Sequence, residues 1–193
     1  MKATLRPLLV LFCVLSLVTG IAYPLAITAI AGLTMPFQAG GSIVRRDGKA
    51  IGSVLIGQRF SDPRHFWSRP SATSPGPNNG VASGGSNLGP TNPALIDAVR
   101  GRIAALRAAD PDNTAAIPVD LVTASASGLD PEISVAAARY QAARIARLRG
   151  IARERVEALI SEHAAGQWLG FLGEPRVNVL ELNRALDVTA PAR

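Results

Sequence analysis

The sequence predicts an α+β soluble domain attached to one N-terminal transmembrane helix. The first observation is an apolar run from Leu8 to about Leu33 that contains no charged residue. A bilayer-spanning helix needs roughly 20 such residues. The second observation is that helical periodicities and short strand-like runs both follow this segment. The chain therefore divides into residues 1–7, a transmembrane helix at 8–33 and a soluble domain at 34–193.

The charges beside the apolar run predict its orientation. Lys2 and Arg6 precede it, and the next charged residue is Arg45. Basic residues flanking a span favour the cytoplasmic side. Residues 1–7 are thus predicted to be cytoplasmic and residues 34–193 extracytoplasmic. A cleaved signal peptide, ending at the small residues of Ala29–Ala31, is the alternative. We favour the anchor because a signal peptide's apolar core is typically about 7–15 residues long.

Proline and glycine signals predict the first half of the soluble domain. Asp47-Gly48 lies between two short apolar runs and predicts a β-hairpin over Ser42–Gln58. Phe60–Ser71 is rich in aromatic residues and reads as a packed irregular segment. Thr73–Pro93 consists almost entirely of small, polar and proline residues, which predicts a long loop. Pro24, in the middle of the span, is expected to kink its helix.

Helix-start signals organise the second half. Asn92-Pro93 pairs an N-cap residue with a first-turn proline, so a helix is predicted to begin there and to end before Asp110-Pro111. Asp130-Pro131 shows the same pairing of an N-cap residue with a proline and predicts a second helix start. The further predicted elements are a short strand at Val119–Thr123, a helix from Asp130 to Arg149 ended by Gly150, a helix at Ala152–Ala165 and a closing helix at Asn178–Leu186.

Composition argues against metal and nucleic-acid sites. Cys13 is the only cysteine, so an internal disulfide or a cysteine-based metal site is impossible. His65 and His163 lack the spacing of zinc ligands. The basic stretch Arg139–Arg155 mixes arginine with alanine and has almost no aromatic residue for base stacking. We therefore interpret it as a solvated face or a contact for an acidic partner, and expect no nucleic-acid partner.

The glycine-rich stretch Ser83–Leu95, SGGSNLGPTNPAL, raises the question of phosphate binding. A phosphate-binding loop of the P-loop type needs a lysine directly after its last glycine. Lys49 follows Gly48, but the flanking residues do not fit that motif. Backbone turn chemistry is therefore favoured over nucleotide contact. The residues retained as nucleotide-contact candidates are Ser83, Gly84, Gly85, Ser125 and Ser127.

No catalytic residue is predicted. The nucleophile motif G-x-S-x-G is absent around Ser125 and Ser127. Asp120, Asp130 and Glu132 could pair as carboxylates only if the fold brings them together. Each is better explained as a strand-edge or helix-start residue. An enzyme acting on its own, including one secreted after signal cleavage, is thus the weakest interpretation.

Five ordered segments resemble one protein family, the C chain (KdpC family) of the Kdp-type high-affinity potassium-transporting ATPase. They are GSVLIGQRF (52–60), FWSRPSAT (66–73), SGGSNLGPTNPAL (83–95), PVDLVTASASGLDP (118–131) and GEPRVNVLELNRAL (173–186). The resemblance covers nearly the whole chain and includes the single N-terminal span. Two positions depart from the family pattern: Ala126 replaces a common glycine and Glu132 a usual histidine.

The resemblance implies a non-catalytic subunit in the bacterial plasma membrane. Its expected partners are the P-type ATPase subunit, the potassium-channel-like subunit, a small single-span subunit and the lipid bilayer. Consistently, the chain has no D-K-T-G-T phosphorylation motif. The family is described as stabilising the complex and raising the ATPase subunit's affinity for ATP, so no tightly bound cofactor is expected and ATP enters through that subunit. The residues predicted to dock partners are Arg69, Ser86, Asn87, Arg176 and Asn178.

Direct ATP contact conflicts with the predicted topology. ATP is cytoplasmic, whereas the charge pattern places residues 34–193 outside. We therefore expect an indirect effect on ATP affinity, through the conformation of the pump. A direct nucleotide-binding chaperone remains the alternative.

Overall fold

The computed structural model describes residues 2–191. Residues 1 and 192–193, which belong to the predicted cytoplasmic and extracytoplasmic segments, lie outside the described residues. The chain forms two compact units, Met1–Ile51 and Gly52–Arg193. Helices and small sheets are both present, so the α+β prediction is confirmed.

The first unit is dominated by a long apolar helix. Helix α1 covers Lys2–Leu17, one wide π-helical turn covers Val18–Ala22, and α2 covers Tyr23–Thr34. Together they provide an apolar helical stretch, Thr4–Thr34, of 31 residues with a mean hydropathy of 2.3 and none of its most apolar window buried. This length and composition suffice to cross a membrane. The predicted span at 8–33 lies within this stretch.

The helical irregularity lies directly before Pro24. The Tyr23 N–H donates to the Val18 carbonyl, five residues back, in place of the ordinary four-residue bond. A proline ring clashes with the carbonyl four residues before it and supplies no donor, so a local departure from α-helical geometry is expected there. The π-helical turn at Val18–Ala22 is therefore explained by the proline at position 24.

A hairpin follows the long helix. After the short helix α3 (Pro36–Ala39), β1 (Ile43–Arg46) pairs with β2 (Lys49–Ser53), and β2 runs across the boundary between the units. Asp47 and Gly48 connect the strands with φ angles of 51° and 77°. Consecutive positive φ angles give the turn that matches strand twist. The predicted hairpin is confirmed.

The second unit contains four helices of ten or more residues and a three-stranded antiparallel sheet. In chain order the elements are α4 (Pro93–Ala109), a 3-10 turn (Val119–Leu121), β3 (Glu132–Ser134), α5 (Val135–Arg149), α6 (Arg153–Glu162), β4 (Ala164–Ala165), β5 (Arg176–Asn178) and α7 (Val179–Thr189). The strand order is β3-β5-β4, with Ile133 opposite Val177. Residues 54–92 contain no helix or strand. This agrees with the predicted irregular segment and long loop, whereas the hairpin, predicted to reach Gln58, ends at Ser53.

Helix ends largely follow their capping residues. Asn92 caps α4, its side chain accepting from the Ala94 N–H at 2.9 Å. Asn178 caps α7 through the Glu181 N–H at 3.1 Å. Gly150 ends α5 with a φ of 66°, in the left-handed region where glycine carries no steric cost. Both α4 boundaries and the end of α5 are therefore as predicted.

Two predicted elements are wrong. The predicted strand at Val119–Thr123 is replaced by a 3-10 turn at Val119–Leu121, and the Val119 carbonyl accepts from both the Val122 and Thr123 N–H groups. Asp130-Pro131 does not open a helix, since Glu132–Ser134 pairs with β5 instead. Ser134 caps α5 in its place, accepting from the Ala137 N–H at 3.0 Å.

The core of the second unit forms around α5. Its buried face packs with residues from α6, α7, the sheet and the irregular segment at 60–71. Ile145, Ile160, Leu182 and Leu186 are completely buried, and so is Phe66 from the irregular segment. Burial of such side chains contributes about 1.5–3 kcal/mol each. The irregular segment thus contributes a completely buried side chain to the core.

Candidate partner-docking and nucleotide-contact site

The five nucleotide-contact candidates lie on two loops that touch each other. Ser83 Oγ donates to the Ser127 carbonyl at 3.1 Å, and the Gly84 N–H donates to the same oxygen at 2.8 Å. Ser125 is buried, whereas Ser83 and Ser127 are exposed. The tertiary fold therefore joins the two segments that the sequence left separate.

Glycines allow these loops to approach closely. Gly128 has a φ of 66°, and a Cβ there would lie 2.6 Å from the Gly84 carbonyl and 2.5 Å from a Thr73 methyl. A Cβ on Gly85 would lie 2.9 Å from the Ala126 carbonyl, whereas one on Gly84 would meet nothing within 4 Å. Ala126 has no positive φ, so its replacement of the family's common glycine is compatible with this backbone.

Hydroxyl groups complete a loop cluster that we define as residues 69–79, 83–85 and 125–130. Ser71 Oγ donates to the Gly128 carbonyl at 2.7 Å and accepts from the Asn78 N–H at 2.8 Å. The Gly128 and Leu129 N–H groups donate to Ser125 O and Ser127 Oγ. A phosphate cradle needs free N–H groups that converge on one point. Here the N–H groups of Gly84, Gly128 and Leu129 are all engaged inside the cluster.

A cleft of about 660 Å³ borders the loop cluster and contains two of the docking candidates. Its charged lining residues are Arg69, Asp120, Asp130, Glu132, Glu174 and Arg176. Arg69 pairs with Asp130 at 2.9 Å and Arg176 with Glu132 at 2.7 Å. The fold therefore brings Asp120, Asp130 and Glu132 to one cleft, which their sequence positions alone did not determine.

Three carboxylates of this cleft, those of Asp120, Asp130 and Glu132, have partners within the domain. Asp120 accepts from the Ser134 N–H at 2.7 Å and from its hydroxyl at 3.2 Å. Asp130 also accepts from the Glu132 N–H at 3.0 Å. These contacts give Asp120 and Asp130 the role of hydrogen-bond acceptors within the fold. The cleft is a surface of mixed charge that suits a polar partner.

The other docking candidates are placed differently. Ser86 and Asn87 are exposed on the loop before α4, and Asn87 has a φ of 52°. Asn178 is engaged within the domain, because its Oδ1 caps α7 and its Nδ2 donates to the Val54 carbonyl at 2.8 Å. Arg69 and Arg176 are consequently the docking candidates with charged groups at an accessible cleft.

The interpretation of Arg139–Arg155 as a solvated face is wrong for two of its arginines. Arg144 is 2% exposed and Arg149 has a completely buried side chain. The Arg144 guanidinium donates to the Pro63 and His65 carbonyls and lies 4.7 Å from the centroid of the Trp67 ring. Burial lowers the pKa of Arg144 to about 10. These arginines hold the irregular segment and do not face a partner.

Sequence reasoning missed this arrangement, although one pattern indicates it. Ala138, Ala142 and Ile145 mark the buried face of α5, and Gln141 and Arg144 fall within the same turns. A run of alanines beside a long polar side chain leaves room for that side chain to cover a neighbouring backbone. The sequence did not show what these arginines bind. Their partners are backbone carbonyls of the irregular segment, which are not paired in a strand or helix.

Comparison with known proteins identifies the family. The family model described as "KdpC: K+-transporting ATPase, c chain" matches residues 5–188. A potassium-transporting ATPase KdpC subunit from Polaromonas naphthalenivorans is 66% identical over 99% of this chain and 97% of its own length. The subunit of the same name from Variovorax paradoxus is 65% identical over the full length of both chains, and that from Sorangium cellulosum is 61% identical over 97% and 98%. The chain therefore belongs to the KdpC family, the c chain of the K⁺-transporting ATPase.

Proposed function

We propose that this chain is a non-catalytic, membrane-anchored subunit of an ATP-driven potassium uptake complex. In this role it stabilises assembly with the P-type ATPase subunit and the potassium-channel-like subunit and promotes ATP use by the former. Its soluble domain lies outside the plasma membrane. The observation that carries the proposal is the combination of a KdpC-family sequence with an unburied apolar helix at Thr4–Thr34.

The anchor supports a role in assembly. Its apolar window is not buried within the chain, so either lipid or helices of partner chains must cover it. The helix carries Gly20 and Gly32, at which an added Cβ would meet nothing within 4 Å. Small residues of this kind allow close packing of a partner helix. The span can thus contribute to assembly as well as to attachment.

The mixed-charge cleft supports docking by the soluble domain. Arg69 and Arg176 sit among four carboxylates, with side chains 29% and 44% exposed. Charged groups arranged in this way favour register and specificity more than affinity. Substitution of both arginines by alanine removes the charges that set this register, so selective co-purification of the companion subunits should weaken. The Arg184→Ala variant, which changes an exposed arginine on α7, provides the control.

The sidedness of the soluble domain has a direct test. Protease added to sealed right-side-out cells should cleave residues 52–193 if this domain lies outside. Detergent-opened cells supply the positive control, because every accessible site is then exposed. Protection in sealed cells together with cleavage in opened cells would reverse the proposed orientation. The soluble domain would then face the cytoplasm, where direct contact with ATP is possible.

Direct nucleotide binding is the second candidate function. Its support is that Ser83–Gly85 and Ser125–Ser127 are brought together, and the engaged N–H groups of the loop cluster argue against it. Photo-labelling of the full chain by an ATP analogue, in competition with unlabelled ATP, separates the two candidates. Saturable labelling that is lost on Ser127→Ala substitution would favour the nucleotide site. Its absence, with normal stimulation of the assembled ATPase, would favour the indirect effect.

A further inference from the structure

The connection between β4 and β5 presents four apolar side chains to the exterior of the second unit. Trp168, Leu169 and Phe171 are 68%, 67% and 69% exposed, and Leu172 is 42% exposed. We call these four residues the apolar tip. The whole segment from Ala164 to Gly173 contains no charged residue. Contiguous exposed apolar side chains of this size mark interaction sites in soluble domains.

The apolar tip has a defined backbone. The Trp168 N–H donates to the Leu172 carbonyl at 2.8 Å, and the Leu172 N–H donates to the Trp168 carbonyl at 2.9 Å. Gln167 Nε2 adds a hydrogen bond to the Gly173 carbonyl at 2.9 Å. These bonds join residues 167–168 to residues 172–173, on opposite sides of the turn. The apolar side chains are therefore presented before any partner arrives, which reduces the ordering cost of binding.

Leu169 is an unfavourable residue for the turn itself. Leu169 and Gly170 have φ angles of 53° and 80°. Two consecutive positive φ angles are met at least cost by Asn, Asp or Gly, whereas a bulky residue in this region is disfavoured. No intramolecular burial compensates, since Leu169 is two-thirds exposed. An observed backbone outlier of this kind points to a requirement outside the turn.

We propose that the apolar tip inserts into an apolar groove on another protein subunit of the same complex, an inference that rests on the proposed function. Tryptophan and phenylalanine are enriched at the energetic centre of protein interfaces, and a polar rim surrounds such centres. Glu174 and Arg176 stand two and four residues after Leu172 and supply a rim of both charges. Arg176 is joined to Glu132, which links the rim to the mixed-charge cleft.

The bilayer surface is the competing occupant, and two observations disfavour it. Segments that lie on a membrane combine apolar residues with a predominantly basic rim. Here an exposed glutamate, Glu174, stands two residues after the last residue of the tip. A fluid bilayer also does not select one backbone conformation, so it does not account for a leucine at the positive φ of residue 169. A shaped protein groove does.

Site-directed cysteine labelling tests the proposal in the assembled complex. Cys13 is replaced by serine, and Leu169→Cys then introduces the only thiol of the chain. The full chain is compared alone in lipid nanodiscs and within the purified complex, with maleimide labelling followed on the gel band of this subunit. Val188→Cys is the matched control, because Val188 is an apolar residue 80% exposed on α7.

We expect the thiol of the Leu169→Cys variant to react rapidly in the isolated chain and at least about tenfold more slowly in the complex. The thiol of the Val188→Cys control should react equally in both preparations. A photoactivatable crosslinker attached at position 169 should join this chain to a companion subunit. Protection already present in nanodiscs without companion subunits would assign the tip to the bilayer and overturn the proposal. Equal, rapid labelling in both preparations would overturn it as well.

A second variant separates loss of docking from loss of the fold. Trp168→Ser combined with Phe171→Ser changes only exposed side chains, so the unfolding temperature of the chain should stay within about 2 °C of wild type. Retention by companion subunits should fall about tenfold or more, equivalent to ~1.4 kcal/mol. Unchanged retention would contradict the proposal. Failure of the wild-type chain itself to co-purify would instead contradict the proposed function.

Discussion

The side-chain amide of Asn183 hydrogen-bonds both polar groups of the Phe66 backbone. Its Oδ1 accepts from the Phe66 N–H at 2.8 Å, and its Nδ2 donates to the Phe66 carbonyl at 3.0 Å. Gln141 binds the Trp67 backbone in the same way. Its Oε1 accepts from the Trp67 N–H at 2.8 Å, and its Nε2 donates to the Trp67 carbonyl at 3.2 Å. Two amide side chains thus supply the hydrogen bonds that a neighbouring strand would otherwise provide. They explain how a segment without regular structure can place Phe66 completely inside the core.

Replacement of Asn183 by leucine should destabilise the chain by about 2–4 kcal/mol, because the buried N–H and C=O of Phe66 would both lose their partner. Chemical unfolding of the full chain in a nonionic detergent, followed by circular dichroism, measures the effect. Arg184→Ala changes the adjacent exposed residue and should remain within about 0.5 kcal/mol of wild type. Equal effects of the two substitutions would contradict the proposed role of Asn183.

Arg144→Met should be strongly destabilising, whereas Arg139→Met on the same helix should be nearly neutral. Arg144 donates to the Pro63 and His65 carbonyls and to Gln141 Oε1, the last at 2.7 Å, while Arg139 is exposed. Loss of these bonds should cost about 2–4 kcal/mol. Arg144→Lys should recover only part, because lysine cannot reproduce the planar fork. Equal destabilisation by Arg144→Met and Arg139→Met would contradict the structural role of Arg144 and would support a solvated basic face on α5.

Gly128→Ala should disrupt the loop cluster, and Gly84→Ala should be tolerated. A Cβ on residue 128 would clash with the Gly84 carbonyl at 2.6 Å on a backbone with a φ of 66°, whereas one on residue 84 would meet nothing. The expected cost at 128 is about 1–3 kcal/mol. Hydrogen exchange of the Gly84 and Leu129 amides should accelerate in Gly128→Ala. Unchanged exchange in that variant would argue against close contact of the two loops.

Stability should fall in acid through aspartates paired with arginines. Hydrogen bonds from the Arg64 side chain lower the pKa of Asp62 to about 2. Burial raises the pKa of Asp187, but the hydrogen bond from Arg149 and the interactions with His65 outweigh it, and the net pKa lies below its usual range. A lowered folded-state pKa stabilises the fold above the unfolded value, and this contribution is lost as the pH falls through the folded value.

Unfolding free energies measured between pH 6 and pH 2.5 therefore decline as the pH falls below about 4 in the wild type. Asp187→Asn should be less stable at pH 6 and should show a flatter decline. Asp112→Asn, which removes an exposed carboxylate, serves as the control for the change of charge. A parallel decline in Asp187→Asn and wild type would exclude Asp187 as a source of the acid sensitivity.

Local chemistry explains which elements the sequence predicted correctly. The Asp47-Gly48 turn, the Asn92 cap and the Gly150 terminus each depend on the φ preference or the side-chain oxygen of one or two residues. The uninterrupted apolar run likewise predicts the long helix by itself. Prediction failed where contacts with a neighbouring element determine the local conformation. Val119–Thr123 and Asp130–Ser134 have local preferences that the Asp120–Ser134 contact and the pairing with β5 override.

The candidate site shows the same division. The sequence identified Ser83–Gly85 and Ser125–Ser127 as unusual, but it could not show that their polar groups engage each other. It also identified Arg69 and Arg176 without showing that they share one cleft with Asp130 and Glu132. Contacts between residues dozens of positions apart depend on how the chain returns on itself, and no local pattern encodes that.

By itself, the sequence determined the apolar span, the α+β class, the principal helix starts and, through five ordered segments, the resemblance to the KdpC family. Only the tertiary structure decided which polar residues serve the fold and which remain accessible to a partner. Arg144 and Arg176 illustrate the difference, since one is 2% exposed and the other has a side chain 44% exposed. The physical reason is that burial and hydrogen-bond partners, rather than residue type, set whether a charge is engaged inside the protein or available outside it.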